Sequence, residues 1–141
     1  MISKVCRAAG VVGVVVFVAG AGRPVLAHHS FAMYDREHQI TLTGAVTAFE
    51  WTNPHAYIEL DVADAGGGVK HYSVECASPN VLTRVGWKFN DIKYGDKVTL
   101  LINPLRNGKA GGMLERATFA DGRSLGDGNG PPPPPAASSP R

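Results

Sequence analysis

Cysteine is scarce in this chain, which contains only Cys6 and Cys76. Cys6 lies in a leader-like segment near the N-terminus, so the rest of the chain has one thiol and cannot form an intramolecular disulfide. A free cysteine is usually a buried, apolar residue, and we expect this of Cys76. A metal ligand or a mixed disulfide is the alternative interpretation of the same residue.

Catalytic motifs are also absent from the sequence. There is no Gly-x-Ser-x-Gly elbow, no His-Glu-x-x-His and no Cys-x-x-Cys. The carboxylates are scattered rather than paired by a motif, and Glu50, Glu59, Asp61 and Glu75 are interpreted as a solvated face. The sequence therefore argues against an enzyme, and a copper-dependent oxidase is the weakest hypothesis that it leaves open.

Long hydrophobic runs are missing except near the N-terminus. Residues 8–22 are apolar, they follow Lys4 and Arg7, and Val25-Leu26-Ala27 supplies small residues suited to a cleavage site. This pattern predicts a signal peptide over residues 1–27. A membrane anchor is the weaker alternative, because a spanning helix needs about 20 apolar residues. We expect a periplasmic or secreted protein with no membrane span after cleavage.

Basic residues do not outnumber acidic residues once the leader is removed. The whole chain has 14 basic and 12 acidic side chains and a net charge of +2 at pH 7. Lys4, Arg7 and Arg23 belong to the leader, which leaves 11 basic against 12 acidic residues and a net charge of −1. The mature chain has no excess of basic residues to bind a phosphate backbone, so nucleic acid is not an expected partner.

What the sequence does contain is period-two alternation of apolar residues, which predicts five strands. We place them at residues 39–50, 56–62, 69–76, 97–102 and 113–120. Ser78-Pro79 is the pattern of a helix N-cap followed by proline at the first helical position, and Gly86 ends a helix of two turns. This order predicts a mainly β fold: a small five-stranded, partly open barrel of the OB type with one short helix between strands 3 and 4. An immunoglobulin-like sandwich is disfavoured, because seven strands do not fit.

Details of packing can also be predicted. A bulge near residues 44–48 keeps the first strand's apolar residues on one side. Keeping apolar residues together pairs Leu60 with Tyr72 and Ile58 with Val74 across the next hairpin. The aromatic core is expected from Phe49, Trp51, Tyr72, Trp87, Phe89 and Phe119.

The predicted barrel domain spans residues 28–123. Residues 124–141 are rich in glycine and proline and include a run of five prolines at 131–135. This composition predicts a disordered tail. A docking peptide is the alternative.

The segment Trp51-Thr-Asn-Pro-His55 is the expected corner between the first two strands. Asn53-Pro54 ends the first strand, because proline pushes the residue before it into extended geometry and has no N–H for a ladder. His55 then lies at the mouth of the turn. The sequence therefore predicts that the fold is organised around this corner.

Histidine suggests the first functional hypothesis. Five histidines follow the leader: His28, His29, His38, His55 and His71. Cleavage after Ala27 would make His28 the N-terminus, where its α-amine and imidazole can chelate one ion, and a further imidazole completes a three-nitrogen set suited to copper or zinc. We assign this hypothetical metal site to His28, His29 and His55. Alternatively, the histidine pair is polar surface and His55 only caps the turn by bonding a carbonyl.

The second hypothesis is an interaction module without a metal. Its expected binding surface consists of Trp51, Asn53, Tyr57 and His71, and its partner is a small solute or a periplasmic protein. His71 is predicted to lie opposite Asp61, where a surface His–carboxylate pair is commoner than a metal ligand.

Four segments carry a resemblance to a known family. They are residues 28–35 (HHSFAMYD), 41–44 (TLTG), 51–55 (WTNPH) and 86–87 (GW). On these motifs the chain resembles a family of small exported bacterial proteins known as a domain of unknown function. The resemblance covers about residues 28–122 and implies an exported, β-rich domain with no assigned activity. The Gly- and Pro-rich tail looks like an addition to the family's usual ending.

Overall fold

The computed structural model describes residues 31–128, which form a closed five-stranded barrel with one extra strand and one α-helix. The strands are β1 (Ile40–Glu50), β2 (Tyr57–Ala63), β3 (Val69–Glu75), β4 (Lys97–Pro104), β5 (Gly111–Phe119) and β6 (Ser124–Gly126). The helix α1 spans Pro79–Arg84, and a 3₁₀ turn spans Phe31–Met33. The predicted leader, His28, His29 and residues 129–141 lie outside the described residues. Over residues 31–128, no helix has the length and apolar character needed to cross a bilayer.

The barrel closes through a parallel seam between β3 and β5. Strand order in the sheet is β3-β2-β1-β4-β5-β6, and Ser73, Val74 and Glu75 pair with Gly111, Gly112 and Met113. The predicted small barrel, with its helix between the third and fourth strands, is therefore confirmed. The sequence predicts a partly open barrel, and the pairing of β3 with β5 closes it.

Local expectations for the first hairpins are confirmed. The pairing of β1 with β2 shifts register between Val46 and Ala48, which is the predicted bulge. The predicted register of β2 with β3 is also present: Leu60 faces Tyr72, and Asp61 faces His71. Alternation fixed this register because a one-residue slip would expose the whole apolar face.

Gly44 allows β1 to approach β2 closely. A Cβ atom at this position would lie 2.2 Å from the backbone oxygen of Asp61, so a larger residue could not fit without a backbone shift. Glycine therefore has a packing role at the bend of the first strand.

Helix α1 begins as its sequence predicts. The Ser78 side chain accepts a hydrogen bond from the Val81 N–H at 3.4 Å, and Pro79 occupies the first turn. Leu82 is fully buried and packs the helix onto the barrel. A proline without an N–H is tolerated here because the first helical N–H groups have no partner within the helix.

Trp87 is at the centre of the aromatic core. This residue is 1% exposed. The centroid of its ring lies 5.8 Å from the ring centroid of Phe49 and 5.6 Å from that of Phe119. The predicted core position of Phe89 is wrong, because this residue is 71% exposed. The chain turns just after Trp87, where the Lys88 N–H donates to Asp91 Oδ2 at 2.7 Å, and this turn directs Phe89 outward.

The folded domain extends past the expected boundary at residue 123. Strand β6 pairs with β5, and the Trp87 Nε1–H donates to the Gly126 carbonyl at 2.9 Å. Asp127 is 2% exposed, and its Oδ1 accepts the Ala77 N–H at 2.5 Å. The Gly- and Pro-rich composition of residues 124–141 predicts that these residues belong to the tail. They are held by hydrogen bonds, which composition does not reveal.

Candidate functional site

The corner connects β1 to β2 through a cis Asn53–Pro54 peptide. Trp51 is half-buried, and its ring centroid lies 5.4 Å from that of Phe49 in an edge-on arrangement. The next three residues, 52–54, are exposed. Trp51 is thus part of the hydrophobic packing, and Asn53 is the predicted surface residue that remains exposed at the corner.

One row of residues beside the corner crosses all five barrel strands. Pairing places Glu50 opposite Tyr57, Tyr57 opposite Glu75, Glu75 opposite Met113 and Met113 opposite Asn103. Residues paired in this way project from the same face of a sheet. The row therefore brings side chains from distant parts of the sequence together on one face of the sheet, where Met113 and Asn103 are buried.

Glu75 is the centre of a group of polar side chains that we call the corner cluster: Tyr34, His55, Tyr57 and Glu75. The hydroxyls of Tyr34 and Tyr57 lie 2.6 and 3.3 Å from Glu75 Oε2 and donate to it. His55 Nδ1 lies 2.8 Å from Glu75 Oε1 and 3.2 Å from the Cys76 carbonyl oxygen. The side chains of Glu75 and His55 are 14% and 27% exposed. The carboxylate is therefore largely buried and satisfied by hydrogen-bond donors.

Residues 31–35 form a strap across the end of β4 next to the cluster. Tyr34 bridges to Leu105, and the Asp35 N–H donates to the Pro104 carbonyl at 2.8 Å. The Arg106 N–H donates to the Met33 carbonyl at 2.9 Å, and Arg106 Nε donates to the Tyr34 carbonyl at 3.1 Å. These bonds fix the strap, and with it the Tyr34 hydroxyl that reaches Glu75.

A cavity of about 40 Å³ lies between the strap and the corner. We call it the corner cavity. Its lining comprises Phe31, Tyr34, His55, Glu75, Cys76, Ala77, Met113 and Asp127. Pockets for organic ligands usually measure about 300–1,000 Å³, whereas one water molecule needs roughly 10–15 Å³. The corner cavity is thus suited to an ion or to one or two waters, not to a whole organic solute.

Burial and negative charge dominate the electrostatics of the cavity. The pKa of the Cys76 thiol is raised well above its usual range, first by burial and then by the charges of Asp127 and Glu75. Burial, reinforced by Glu75, likewise raises the pKa of Tyr34 and that of Tyr57. Both tyrosines remain protonated donors, and the Cys76 thiol stays neutral at ordinary pH. The expectation of a buried thiol is confirmed.

The remaining histidines in residues 31–128 lie away from the corner cavity. His71 is on the outer face of the β2–β3 hairpin, where Nδ1 is 2.7 Å from Asp61 Oδ1 and Nε2 is 2.9 Å from Glu59 Oε2. This is the surface His–carboxylate pair that its predicted position favoured. His38 is exposed, and its Nδ1 lies 2.9 Å from Asp35 Oδ2.

Of the predicted metal ligands, the structure describes His55 alone. Among residues 31–128, no three His, Cys, Asp or Glu side chains are arranged to hold a metal ion. The predicted binding surface is divided: Tyr57 belongs to the corner cluster, Trp51 packs on the core, and His71 lies on the hairpin face. Tyr34, Glu75 and Asp127 line the cavity but are not among the predicted site residues. Tyr34 lies in a motif segment, but the other two had no signal that separated them from surface carboxylates.

These features define a class of protein: a small β-barrel domain with a polar cluster and a small cavity on its outer surface. The chain belongs to DUF6152, a family of unknown function, which matches residues 14–116. This confirms the expected membership in a domain-of-unknown-function family. A search of curated proteins finds no match to the chain.

Proposed function

We propose that this protein is an exported binding module that holds one copper or zinc ion at the corner cavity, through His55 together with His28 and His29. The observation that carries this proposal is that Phe31 and His55 line the same cavity. The first described residue therefore lies beside the cavity that His55 lines.

Chain length supports a shared site. His29 and His28 precede Phe31 by two and three residues, and an extended chain spans at most about 3.3–3.6 Å per residue. The two histidines are therefore tethered within roughly 7 and 10 Å of Phe31. This tether length supports a site in which either imidazole joins His55 on one metal ion.

The size and charge of the cavity favour an ion over a solute. A volume of about 40 Å³ accommodates an ion with a water, and the lining includes the carboxylates of Glu75 and Asp127. Nearby negative charge favours a cation. Imidazole and amine nitrogens are ligands that copper and zinc prefer to hard cations such as magnesium and calcium.

The test is a competition titration of the exported chain with Cu²⁺ and Zn²⁺. We expect one tight site per chain, and we expect His55→Ala and His28→Ala each to weaken it by at least about tenfold, because each removes a ligand. His71→Ala is the matched control and should leave the affinity unchanged. Equal affinity in the wild type, His55→Ala and His28→Ala would contradict the proposal.

A metal-free interaction module is the second candidate, and one observation favours it. Phe31 and Met33 are apolar yet 52% and 46% exposed, on the strap that borders the cavity. Exposed apolar side chains grouped beside a polar corner suit a protein partner. This candidate predicts that Phe31→Ala and Asn53→Ala abolish binding to a purified periplasmic partner, while His55→Ala does not.

A further inference from the structure

Two acceptors face one ring nitrogen of His55. Nδ1 lies 2.8 Å from Glu75 Oε1 and 3.2 Å from the Cys76 carbonyl oxygen. A carboxylate and a carbonyl can only accept hydrogen bonds, so the nitrogen between them must carry the hydrogen. A neutral imidazole has one such hydrogen, and its lone pair is therefore on Nε2.

The orientation of Glu75 is fixed through its other oxygen. Oε2 accepts hydrogen bonds from the hydroxyls of Tyr34 and Tyr57 at 2.6 and 3.3 Å. A carboxylate anchored on one side by two donors presents its second oxygen in a defined direction. In this protein, Oε1 is directed at His55 Nδ1.

We propose that Glu75 is a positioning residue: it fixes the tautomer and the ring orientation of His55, so that Nε2 is the atom that binds a metal ion. The tautomer assignment stands on the hydrogen bond of Nδ1 to the Cys76 carbonyl and on the 2.8 Å contact of Nδ1 with Glu75 Oε1, while the consequence for metal binding rests on the function proposed above. Metal-binding histidines generally donate the hydrogen of their other nitrogen to a carboxylate or carbonyl, which makes the ligand nitrogen more basic.

The tautomer can be measured without metal, by long-range ¹H–¹⁵N correlation spectroscopy of the ¹⁵N-histidine-labelled chain. Spectra are recorded at increasing pH until the His55 ring carries one hydrogen rather than two. We expect the hydrogen of His55 on Nδ1. In Glu75→Gln, the amide NH₂ can face Nδ1 as a donor, which favours the hydrogen on Nε2, so the spectrum should shift toward that form.

Glu59→Gln is the matched control. Glu59 is also a β-strand carboxylate paired with a histidine, and its side chain is 19% exposed, but its partner is His71. This variant should leave the His55 signals in place. A wild-type His55 with its hydrogen on Nε2, or a Glu75→Gln spectrum identical to the wild type, would overturn the proposal.

Titration with Zn²⁺ and Cu²⁺ completes the test. We expect Glu75→Gln to weaken binding about 10- to 100-fold, the usual effect of removing such a carboxylate partner. Tyr34→Phe, which keeps the carboxylate but removes one anchor, should cause a smaller loss. If the wild type binds neither ion while Glu75→Gln still changes the tautomer, the proposed function fails and the positioning role stands. If the wild type binds and Glu75→Gln has the same tautomer and affinity, the positioning role fails alone.

Discussion

His71 is the residue whose protonation should influence stability. The hydrogen bond to Asp61, reinforced by Glu59, raises the pKa of His71 above its usual value, and burial opposes this only in part. A raised folded-state pKa means that the stabilising contribution is complete below the ordinary value of about 6.5 and is lost as pH rises through the folded pKa. We expect the stability difference between wild type and His71→Gln to shrink as pH rises through this range.

The measurement is the urea midpoint of both proteins at several pH values between about 5 and 9. Subtracting the variant's curve from the wild-type curve removes the contributions of the other histidines. A difference that stays constant across this range, or grows toward high pH, would contradict the prediction.

Trp87 and Phe89 provide a paired test of the core. Trp87→Ala removes a fully buried ring, and we expect the free energy of unfolding to fall by about 3–5 kcal/mol. Phe89→Ala removes an exposed ring and should change it by no more than about 0.5 kcal/mol. Chemical denaturation of the two variants measures both values. Similar losses would show that Phe89 is part of the core after all.

Glu75 and Phe89 show how far the environment of a single side chain can be predicted from the sequence. Alternation places Glu75 on the outer face of β3, but the expectation that this carboxylate is solvated is wrong, because its side chain is only 14% exposed. Alternation cannot reveal what covers that face. The strap is more than 30 residues away in sequence, and Tyr34 forms its hydrogen bond to Glu75 only in the folded chain. For the same reason Phe89, which is apolar but lies after a turn, could not be separated from Trp87 by composition.

At the scale of elements, β6 and Asp127 should contribute to stability. A chain ending at Arg123 loses the acceptors of the Trp87 indole N–H and the Ala77 N–H. An unsatisfied buried donor costs about 1–3 kcal/mol, so we expect a loss of at least about 2 kcal/mol in the free energy of unfolding.

The matched control is a chain ending at Gly128, which keeps the contacts of β6 and Asp127 described above. Its urea midpoint should stay close to that of the full chain, whereas the chain ending at Arg123 should unfold at a lower concentration. Equal midpoints for both truncations would place the domain boundary at residue 123, as the sequence alone suggested.

Elements were predictable where a local rule defined them. The five barrel strands follow from alternation, and the start of α1 follows from Ser78-Pro79, because capping and burial act on neighbouring residues. Strand β6 has three residues and no buried apolar side chain, so it depends on β5 for its formation. The strap similarly depends on the carbonyl and N–H groups of residues 104–106.

At the scale of the whole molecule, barrel closure creates the candidate site. The parallel seam of β3 with β5 brings Glu75 beside Met113, and the strap lies over this row. The sequence predicts the barrel and places His55 in a candidate site. The cavity between the strap and the corner, in contrast, follows only from the folded barrel. The small size of that cavity, about 40 Å³, favours the proposed ion over an organic solute.

The most direct test of metal binding at the corner is native mass spectrometry of the exported chain, read for its first residue and its bound metal. We predict a chain that begins at His28 and carries one copper or zinc ion, and a His55→Ala variant with the same start and a lower metal occupancy. A different first residue, or a chain beginning at His28 that takes up no metal when copper is supplied, would contradict it.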